Sequence, residues 1–254
     1  MGVIYQPKGA ALEYGDWACN LFRGCSHGCK YCYAPSVLRL KRDAFLMSEP
    51  RANILDNLQK DLGKGVGGDA PVFFCFTSDP YQPREEQDRI TRRALDMVTA
   101  GNMVTPGRGV IVLTKNGNLA ARDFDLISRN PESAFGVSLC WMDDGKREEW
   151  EPFAGSVADR IKSLELARSM GIKTWVSVEP VIDASEGLSV VTALCGKVDT
   201  IKIGKLNHNR AIEDITDWPD FREKCVSLCK SFGQAYYIKH DLRVAESKAT
   251  LESG

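Results

Sequence analysis

Gly24-Cys25-Ser26-His27-Gly28-Cys29-Lys30-Tyr31-Cys32-Tyr33 places three cysteines within eight residues, in the spacing C-x3-C-x2-C. Thiolates are the preferred ligands of zinc, copper(I) and iron–sulfur clusters. A structural zinc ion usually takes four ligands, commonly as two separated pairs, and no second pair of cysteines follows nearby in the sequence. An all-cysteine cubane cluster likewise takes four thiolates. Three thiolates on one loop would therefore leave one iron open to a substrate or cofactor.

The rest of this loop also favours a cluster. Gly24 and Gly28 let the backbone fold back around a bulky group at low steric cost. The plainer alternatives are three buried apolar cysteines or an incomplete zinc knuckle. The spacing, the tyrosine before the last cysteine and the early position in an α/β chain all favour the cluster over these alternatives.

The composition is that of an ordinary globular chain. Its 254 residues are 43% hydrophobic and 26% charged, with a formal net charge of −1, so global charge argues neither for nucleic acid binding nor against a local basic patch. The N-terminus lacks a charged segment followed by an apolar run, and no stretch approaches the length of a membrane span. We therefore expect a cytoplasmic protein without a membrane partner, whose cysteines stay reduced and bind metal rather than form disulfides.

Short apolar runs alternate with helical patterns along the chain. Strands are predicted at residues 17–22, 72–77, 110–114, 134–139, 174–178, 200–203 and 236–238. Helices are predicted near residues 51–62, 85–100, 119–128, 157–170, 186–194 and 221–232, with a polar loop before 157 and irregular chain over 1–16. This alternation implies a parallel sheet with right-handed crossovers.

The predicted strands fit an α/β fold of the partial (β/α)6 TIM-barrel type. In such barrels, active residues collect on the loops that follow the strands. The chain length suits one domain. We predict a single domain with an N-terminal extension over 1–16, a barrel core over 17–205, and a C-terminal helix, strand and tail over 206–254.

The cysteine loop, with Tyr31 before Cys32, resembles the cluster loop of the radical S-adenosylmethionine (SAM) enzymes. The resemblance implies a [4Fe–4S] cluster on Cys25, Cys29 and Cys32, whose open iron chelates the amino and carboxylate groups of SAM. One electron then splits SAM into methionine and a 5′-deoxyadenosyl radical, which abstracts hydrogen from a substrate. It also implies an electron donor such as flavodoxin or ferredoxin.

Polar side chains follow the predicted strands, where a barrel would need them. The methionine end of SAM needs acceptors for its ammonium group, which Ser78 and Asp79 could supply, and a cation for its carboxylate, which Lys115 could supply. Ser138 closes the next strand, and Glu179 follows a later one between two apolar segments, which predicts a buried partner and a place among the cofactor-binding residues. In plainer interpretations, Asp79 organises a turn before a proline, Lys115 is a solvated loop residue, and Ser138 is an ordinary strand end.

A longer set of motifs resembles the branch of the family related to spore photoproduct lyase. These motifs lie within roughly residues 17 to 205 and comprise Asn20, the cysteine loop, Tyr33-Ala34, Thr77-Ser78-Asp79-Pro80-Tyr81-Gln82-Pro83, Glu151-Pro152 and Arg160. In the lyase, residues at equivalent positions contact SAM, which implies that role for Ser78, Asp79, Lys115 and Ser138. The tyrosines beside its last cluster cysteine border SAM and are implicated in radical relay, which implies a cofactor contact for Tyr31 and a catalytic role for Tyr33.

The chain departs from the lyase at the hydrogen-donating cysteine. The lyase carries this cysteine immediately before Thr-Ser-Asp, where this chain has Phe76, and Cys75 comes one residue earlier. Because side chains alternate along a strand, we expect Cys75 to point to the opposite face unless a bulge intervenes. Cys140, two residues beyond Ser138, is the alternative catalytic thiol. Cleavage of spore photoproduct itself is therefore not expected.

The resemblance implies a substrate, a nucleobase in DNA and first of all a thymine derivative that is repaired, rearranged or modified. DNA would need cations for its phosphates and an aromatic pocket for a flipped base. The candidate cations are Arg39, Lys41, Arg42, Arg89, Arg92, Arg93, Lys205, His208, Arg210, Lys239 and Arg243, and the candidate aromatic residues are Tyr81, Trp141, Tyr236 and Tyr237. Two alternatives stay open: radical chemistry on a small molecule or peptide, and a nonenzymatic, metal-stabilised nucleic-acid-binding module.

Overall fold

The structure, a computed structural model, describes residues 2–101, 107–207, 209 and 213–246. The strands are β1 (Ile4–Tyr5), β2 (Trp17–Cys19), β3 (Phe22–Arg23), β4 (Glu49–Pro50), β5 (Val72–Phe74), β6 (Val110–Thr114), β7 (Ala134–Ser138), β8 (Lys173–Val178), β9 (Thr200–Ile203) and β10 (Tyr236–Ile238). The helices are α1 (Ala34–Val37), α2 (Arg42–Leu46), α3 (Ile54–Gly63), α4 (Glu85–Asp88), α5 (Ile90–Thr99), α6 (Gly117–Ala121), α7 (Phe124–Ile127), α8 (Asp144–Trp150), α9 (Val157–Ser169), α10 (Ala184–Leu194), α11 (Trp218–Ser231) and α12 (His240–Arg243), and Gly9–Glu13 forms a 3₁₀ helix.

One eight-stranded sheet carries the fold, in the order β1-β2-β5-β6-β7-β8-β9-β10. The strands from β2 to β10 in this row run parallel, and β1 pairs with β2 in the antiparallel sense. The separate strands β3 and β4 form a small ribbon. The parallel strands coincide with the seven predicted strands, so the α/β fold class is confirmed. In the part of the chain that the structure describes, the sheet is an open row, as in a partial barrel.

The two faces of the sheet have different roles. Val112 and Val176 are fully buried and belong to the main core, together with residues from the helices. Phe73 and Trp175, which point to the other face, form a second cluster with the partly buried Tyr14. Because side chains alternate along a strand, every second residue of the parallel strands reaches this inner face, where the functional residues lie.

The stretch predicted to be irregular, residues 1–16, contains both β1 and the 3₁₀ helix, so that prediction was wrong. Asp61 of α3 holds β1 in place, since its Oδ2 accepts hydrogen bonds from the backbone N–H of Val3 at 2.5 Å and of Ile4 at 3.0 Å. A two-residue strand is too short to show a hydrophobic period, and its stabilising partner lies more than 50 residues away in sequence.

The structure also corrects two predicted helices and one predicted loop. The helix predicted over 85–100 is divided at Arg89, which takes a left-handed φ of 49°, and the buried carboxylate of Glu85 then accepts hydrogen bonds from the first N–H groups of α5. The helix predicted over 119–128 is divided into α6 and α7. The polar loop before residue 157 contains α8, whose N-terminus is capped by the Asp143 carboxylate. No helix among the described residues combines the length and apolar character that crossing a bilayer requires.

Candidate functional site

A cavity of about 400 Å³ lies at the carboxyl ends of the parallel strands. This volume falls within the usual range for small-molecule sites. Nearly all of the predicted site residues line it: Cys25, Cys29, Tyr31, Cys32, Tyr33, Ser78, Asp79, Lys115, Ser138 and Glu179. The fold therefore brings together residues from the cysteine loop and from four strand ends.

The cysteine loop starts with a backbone turn that only glycine can make easily. Gly24 has a φ of 87°, and a Cβ at this position would lie 2.4 Å from the carbonyl oxygen of Phe45. That carbonyl accepts the N–H of Cys25 at 2.9 Å. The close approach of these two backbones fixes the first cysteine at the wall of the cavity.

Two amide side chains from the motifs named above, those of Asn20 and Gln82, tie this loop to the end of β5. Gln82 accepts the backbone N–H of Ser26 at 2.9 Å. Asn20 accepts the N–H groups of Phe76 and Thr77 at 2.8 and 3.2 Å. These two amide side chains thus join the strand before the cysteine loop, the loop itself and the turn after β5 into one unit.

A buried ion pair supports the other side of the loop. Tyr31 donates its hydroxyl hydrogen bond to Glu151, and Glu151 pairs with Arg160 at 2.6 Å, with both side chains fully buried. Arg160 also donates to the carbonyl oxygen of Ser138 at 2.8 Å. Burial alone would raise the pKa of the Glu151 carboxyl, but Arg160 and Lys115 hold it below its usual value. The cysteine loop is therefore connected to the end of β7 by charge-assisted contacts.

The three thiols suit a cluster. All three are free, and burial raises the pKa of each, that of Cys29 to about 12, so iron would have to displace a proton from each sulfur on binding. Among the described residues, no three His, Cys, Asp or Glu side chains are placed to ligate a single ion. Three thiols that line one cavity fit a [4Fe–4S] cluster, in which each thiolate binds a different iron.

Two groups lining the cavity have no nitrogen or oxygen partner in the described residues and match the predicted binding of an amino acid. The hydroxyl of Ser78 is buried, and its described neighbour is the thiol of Cys75. The ammonium of Lys115 has no ion pair within 4 Å in that part of the chain, and lies 5.8 Å from the Tyr31 ring centre. Burial alone would lower the Lys115 pKa, but the nearby Glu151 raises it, so the side chain stays charged.

Asp79 differs from these two residues because the protein already uses its carboxylate. It accepts hydrogen bonds from the Thr114 hydroxyl and from the N–H groups of Tyr81 and Lys115, at 2.7 to 2.8 Å. Burial would raise its pKa, but His27 and these donors lower it to about 2. The bond to Tyr81 is the turn contact of the plainer interpretation. A direct contact of Asp79 with SAM stays a prediction.

The two candidate thiols, Cys75 and Cys140, are both buried. The strand ends at Phe74, and Cys75, which touches the edge of the cavity, takes a left-handed φ of 70°. Its side chain packs in the main core, where the sulfur accepts the N–H of Leu21 at 3.4 Å, whereas Phe76 packs in the inner-face cluster. The two side chains therefore point to opposite faces, as expected. Cys140 is fully buried and is not part of the cavity wall, which removes the geometric basis for its role as a thiol donor. Tyr33 lines the cavity, and its hydroxyl donates to the Phe76 carbonyl at 3.1 Å.

Sequence reasoning did not connect the residues that form the wall of the cavity opposite the cysteine loop. Glu179 accepts a hydrogen bond from the Tyr14 hydroxyl at 2.7 Å and one from Lys239 at 2.5 Å, which supplies the buried partner expected for this carboxylate. Tyr14 lies in the predicted extension and Lys239 in the predicted C-terminal tail, so no local signal joins them. The aromatic residues predicted for a base, Tyr81 and Trp141, are buried and do not line the cavity.

Removal of one partner from the Glu151–Arg160 pair tests its role in the fold. Arg160→Met leaves a buried carboxylate unpaired, which we expect to lower the free energy of unfolding by about 3–5 kcal/mol. The double variant Glu151→Leu/Arg160→Met removes both charges and should lose less than the single variant. Urea unfolding of the cluster-free protein under reducing conditions measures both values. A double variant that is less stable than Arg160→Met would contradict this account of the pair.

Solved structures resemble this fold closely. A spore photoproduct lyase variant with bound AdoMet and dinucleoside spore photoproduct superposes with a TM-score of 0.69 over 94% of this chain and 79% of the lyase chain, at 14% identity. Streptococcus suis SuiB bound to S-adenosylmethionine gives a TM-score of 0.61 over 87% of this chain and 49% of SuiB, at 12% identity. At these identities the likeness concerns the fold.

Curated relatives cover less of the molecule. An uncharacterized protein of Methanocaldococcus jannaschii is 26% identical over 167 residues, which are 64% of this chain and 59% of that protein. The radical SAM Nalpha-GlyT isomerase of Pseudomonas phage M6 is 30% identical over 158 residues, 62% of this chain and 31% of the isomerase. The chain thus spans between about a third and three fifths of the length of these two relatives.

The family itself follows from a match that covers most of the chain. The family model of the radical SAM superfamily matches residues 19–183, from the end of β2 to the loop after β8. This range contains the cysteine loop and the strand-end residues that share the cavity. Members of the superfamily use a [4Fe–4S] cluster and SAM. The chain belongs to the radical SAM superfamily of enzymes and takes these two cofactors.

Proposed function

We propose that this chain is an enzyme that cleaves SAM reductively and abstracts hydrogen from an organic substrate, with a thymine-derived nucleobase in DNA as the first candidate. When bound, the cluster supplies the electron that splits SAM into methionine and a 5′-deoxyadenosyl radical. One observation carries the proposal: the thiols of Cys25, Cys29 and Cys32 share a cavity with the polar groups of Ser78 and Lys115, which have no nitrogen or oxygen partner in the described residues.

In this proposal the three cysteines hold the cluster, and the strand ends hold SAM. Lys115 pairs with the SAM carboxylate, and the hydroxyl of Ser78 accepts from its ammonium group. Ser138, buried at the end of β7, and Tyr31 border the cofactor. Asp79 positions the backbone of Lys115, since it accepts that residue's N–H. Burial of these groups strengthens their electrostatic contacts because the local dielectric constant is low.

Two similar proteins support a nucleobase substrate. One structural neighbour is a lyase variant bound to a dinucleoside spore photoproduct, and one relative is named as a GlyT isomerase. Another neighbour, SuiB, was solved with a precursor peptide, which supports the alternative of radical chemistry on a peptide. These structures are 14% and 12% identical to this chain, so they support the fold. The choice between a nucleobase and a peptide as substrate is therefore argued from the cavity of this chain.

The charge distribution narrows the DNA-binding candidates. Arg92 is engaged by Asp123 and Asp125, and Lys205 by Glu213. Arg39 and Lys41 are exposed next to the cysteine loop and have no ion pair within the described ranges. We infer that these two cations are better placed for phosphate than the paired ones. The candidates His208 and Arg210 lie outside the described residues.

Radical SAM enzymes need an electron donor, and we infer a flavodoxin or ferredoxin. We also place the protein in the cytoplasm, because all nine cysteines are free thiols and reduced thiols persist in that compartment. The lyase or isomerase type of reaction, as opposed to another radical reaction, is inferred from the names of the relatives.

The enzyme proposal predicts a product that can be measured without knowing the substrate. Anaerobically reconstituted protein with SAM and dithionite should form 5′-deoxyadenosine, detected by mass spectrometry. Cys29→Ala should lose iron and product, because the cluster would have two cysteine ligands left. The control Cys225→Ala, on α11 and buried in the core, should keep both. A protein with a full cluster that forms no 5′-deoxyadenosine would support the nonenzymatic module instead.

The proposed carboxylate contact predicts a loss of SAM affinity. Lys115→Met removes a charge-assisted hydrogen bond worth about 1.5–3 kcal/mol, so the Kd for SAM should rise about tenfold to 100-fold. Calorimetric titration of the reconstituted, unreduced protein measures this change. Lys224→Met, on an exposed face of α11 with 58% of the lysine side chain accessible, is the matched control. Equal SAM affinities for the two variants would show that Lys115 does not bind the cofactor.

A further inference from the structure

The proposed cofactor residues use only half of the strand ends. The cysteine loop follows β2 and the short strand β3, and the residues assigned to SAM follow β5, β6 and β7. Strands β2, β5, β6 and β7 are neighbours in the sheet. The ends of β8, β9 and β10 form the rest of the cavity wall, with Tyr14, Ser177, Glu179, Lys205, Asn207, Lys239 and Asp241. This half is free for a substrate if the proposed function holds.

Building on the proposed function, we propose that Phe76 and the Glu179–Lys239 pair form a pyrimidine-binding subsite. The ring of Phe76 would stack on the base. Glu179 and Lys239 would read the imide edge of a thymine or uracil type of base, with the carboxylate accepting the ring N–H and the ammonium donating to a neighbouring carbonyl. None of these three residues belongs to the cysteine loop. Glu179 was predicted from the sequence as a cofactor-binding residue, and its pairing with Lys239 and Tyr14, away from Ser78 and Lys115, supports a role in substrate binding instead.

Phe76 has the geometry of a stacking platform. Its ring lies nearly parallel to that of Phe73, with centroids 4.2 Å apart and an interplanar angle of 16°, and Tyr14 meets it edge-on at 6.0 Å. Phe73 is 2% exposed, whereas Phe76 is only partly buried and lines the cavity. The ring is thus held rigidly from behind, and bases stack on aromatic rings of this kind.

The ion pair beyond Phe76 offers one donor and one acceptor. Lys239 carries three N–H donors and uses two of them, on Glu179 and on the Tyr14 hydroxyl at 3.1 Å. Glu179 receives both of its described hydrogen bonds on Oε2, which leaves Oε1 without a donor in the part of the chain that the structure describes. The lysine is 9% exposed and the glutamate 20%, so both are desolvated and oriented before any ligand binds.

Surrounding charges favour a neutral polar ligand over an ion. Glu13 lies 3.7 Å from Lys239 and accepts hydrogen bonds from Tyr237 and from the N–H of His240, and its carbonyl accepts from Lys202 at 2.8 Å. Glu13 and Glu179 thus balance Lys202 and Lys239 around this pair, and the remaining charged residues of the wall, Lys205 and Asp241, contribute one charge of each sign. A free phosphate or carboxylate would gain little net attraction there, whereas the imide edge of a base supplies the matching acceptor and donor without a net charge.

Nucleoside binding tests the subsite without catalysis. Calorimetric titration of the full, reconstituted, SAM-loaded and unreduced chain with thymidine should show binding. Phe76→Leu keeps an apolar side chain but removes the flat ring, so thymidine affinity should fall about tenfold or more. N3-methylthymidine, which lacks the imide N–H, should bind the unaltered protein about tenfold more weakly than thymidine, because the Glu179 carboxylate would lose its donor. Phe232 directly follows α11, and its side chain is exposed. The variant Phe232→Leu is therefore the control and should bind thymidine normally.

The outcomes separate the subsite from the proposed function. No measurable thymidine binding, equal affinities for thymidine and N3-methylthymidine, or an unchanged affinity in Phe76→Leu would each overturn the subsite. In any of these cases, formation of 5′-deoxyadenosine by the same preparation under reductant would leave the proposed SAM cleavage standing. Absence of 5′-deoxyadenosine together with normal thymidine binding would instead overturn the proposed function.

Discussion

Three thiols that serve one cluster have to face the same cavity, and a loop of eight residues cannot hold that arrangement by itself. The structure holds it from three directions. The Phe45 carbonyl accepts the N–H of the first cysteine, Gln82 accepts the next N–H, and Glu151 holds Tyr31 from the far side. Glu151 is itself held by its ion pair with Arg160, and both side chains are fully buried. The positions of Cys29 and Cys32 therefore depend on an ion pair formed by the second half of the chain.

The parallel sheet explains why so many distant residues meet at this place. Parallel strands end at the same edge, and alternation sends every second side chain to the inner face. Ser138 of β7, Ser177 of β8 and Lys202 of β9 all belong to that inner set. The N-terminal segment then covers the far end of the cavity, since Tyr14 and Glu13 contact the last two strands. Residues on both sides of the range 17–205 therefore belong to the site, which would be incomplete with that range alone.

The sequence was sufficient where the physical signal is local. Apolar runs located the parallel strands, since a strand covered on both faces has to be apolar throughout, and the cysteine spacing located the loop. Other features depend on contacts that no local pattern records. Tyr14 and Glu179 are 165 positions apart, and no local pattern records the left-handed backbone of Cys75 at the end of β5. Glu151 and Arg160 were recognised as a motif, but only the fold shows that they support Tyr31.

The central claim is that the cysteine loop carries a cluster with one iron left for SAM, and electron paramagnetic resonance of the reduced, anaerobically reconstituted protein tests it most directly. The account predicts a [4Fe–4S]⁺ signal whose g values shift when SAM is added, because a new ligand changes the electronic structure of the cluster. A signal that does not change with SAM, or a protein that binds only zinc under these conditions, would contradict it.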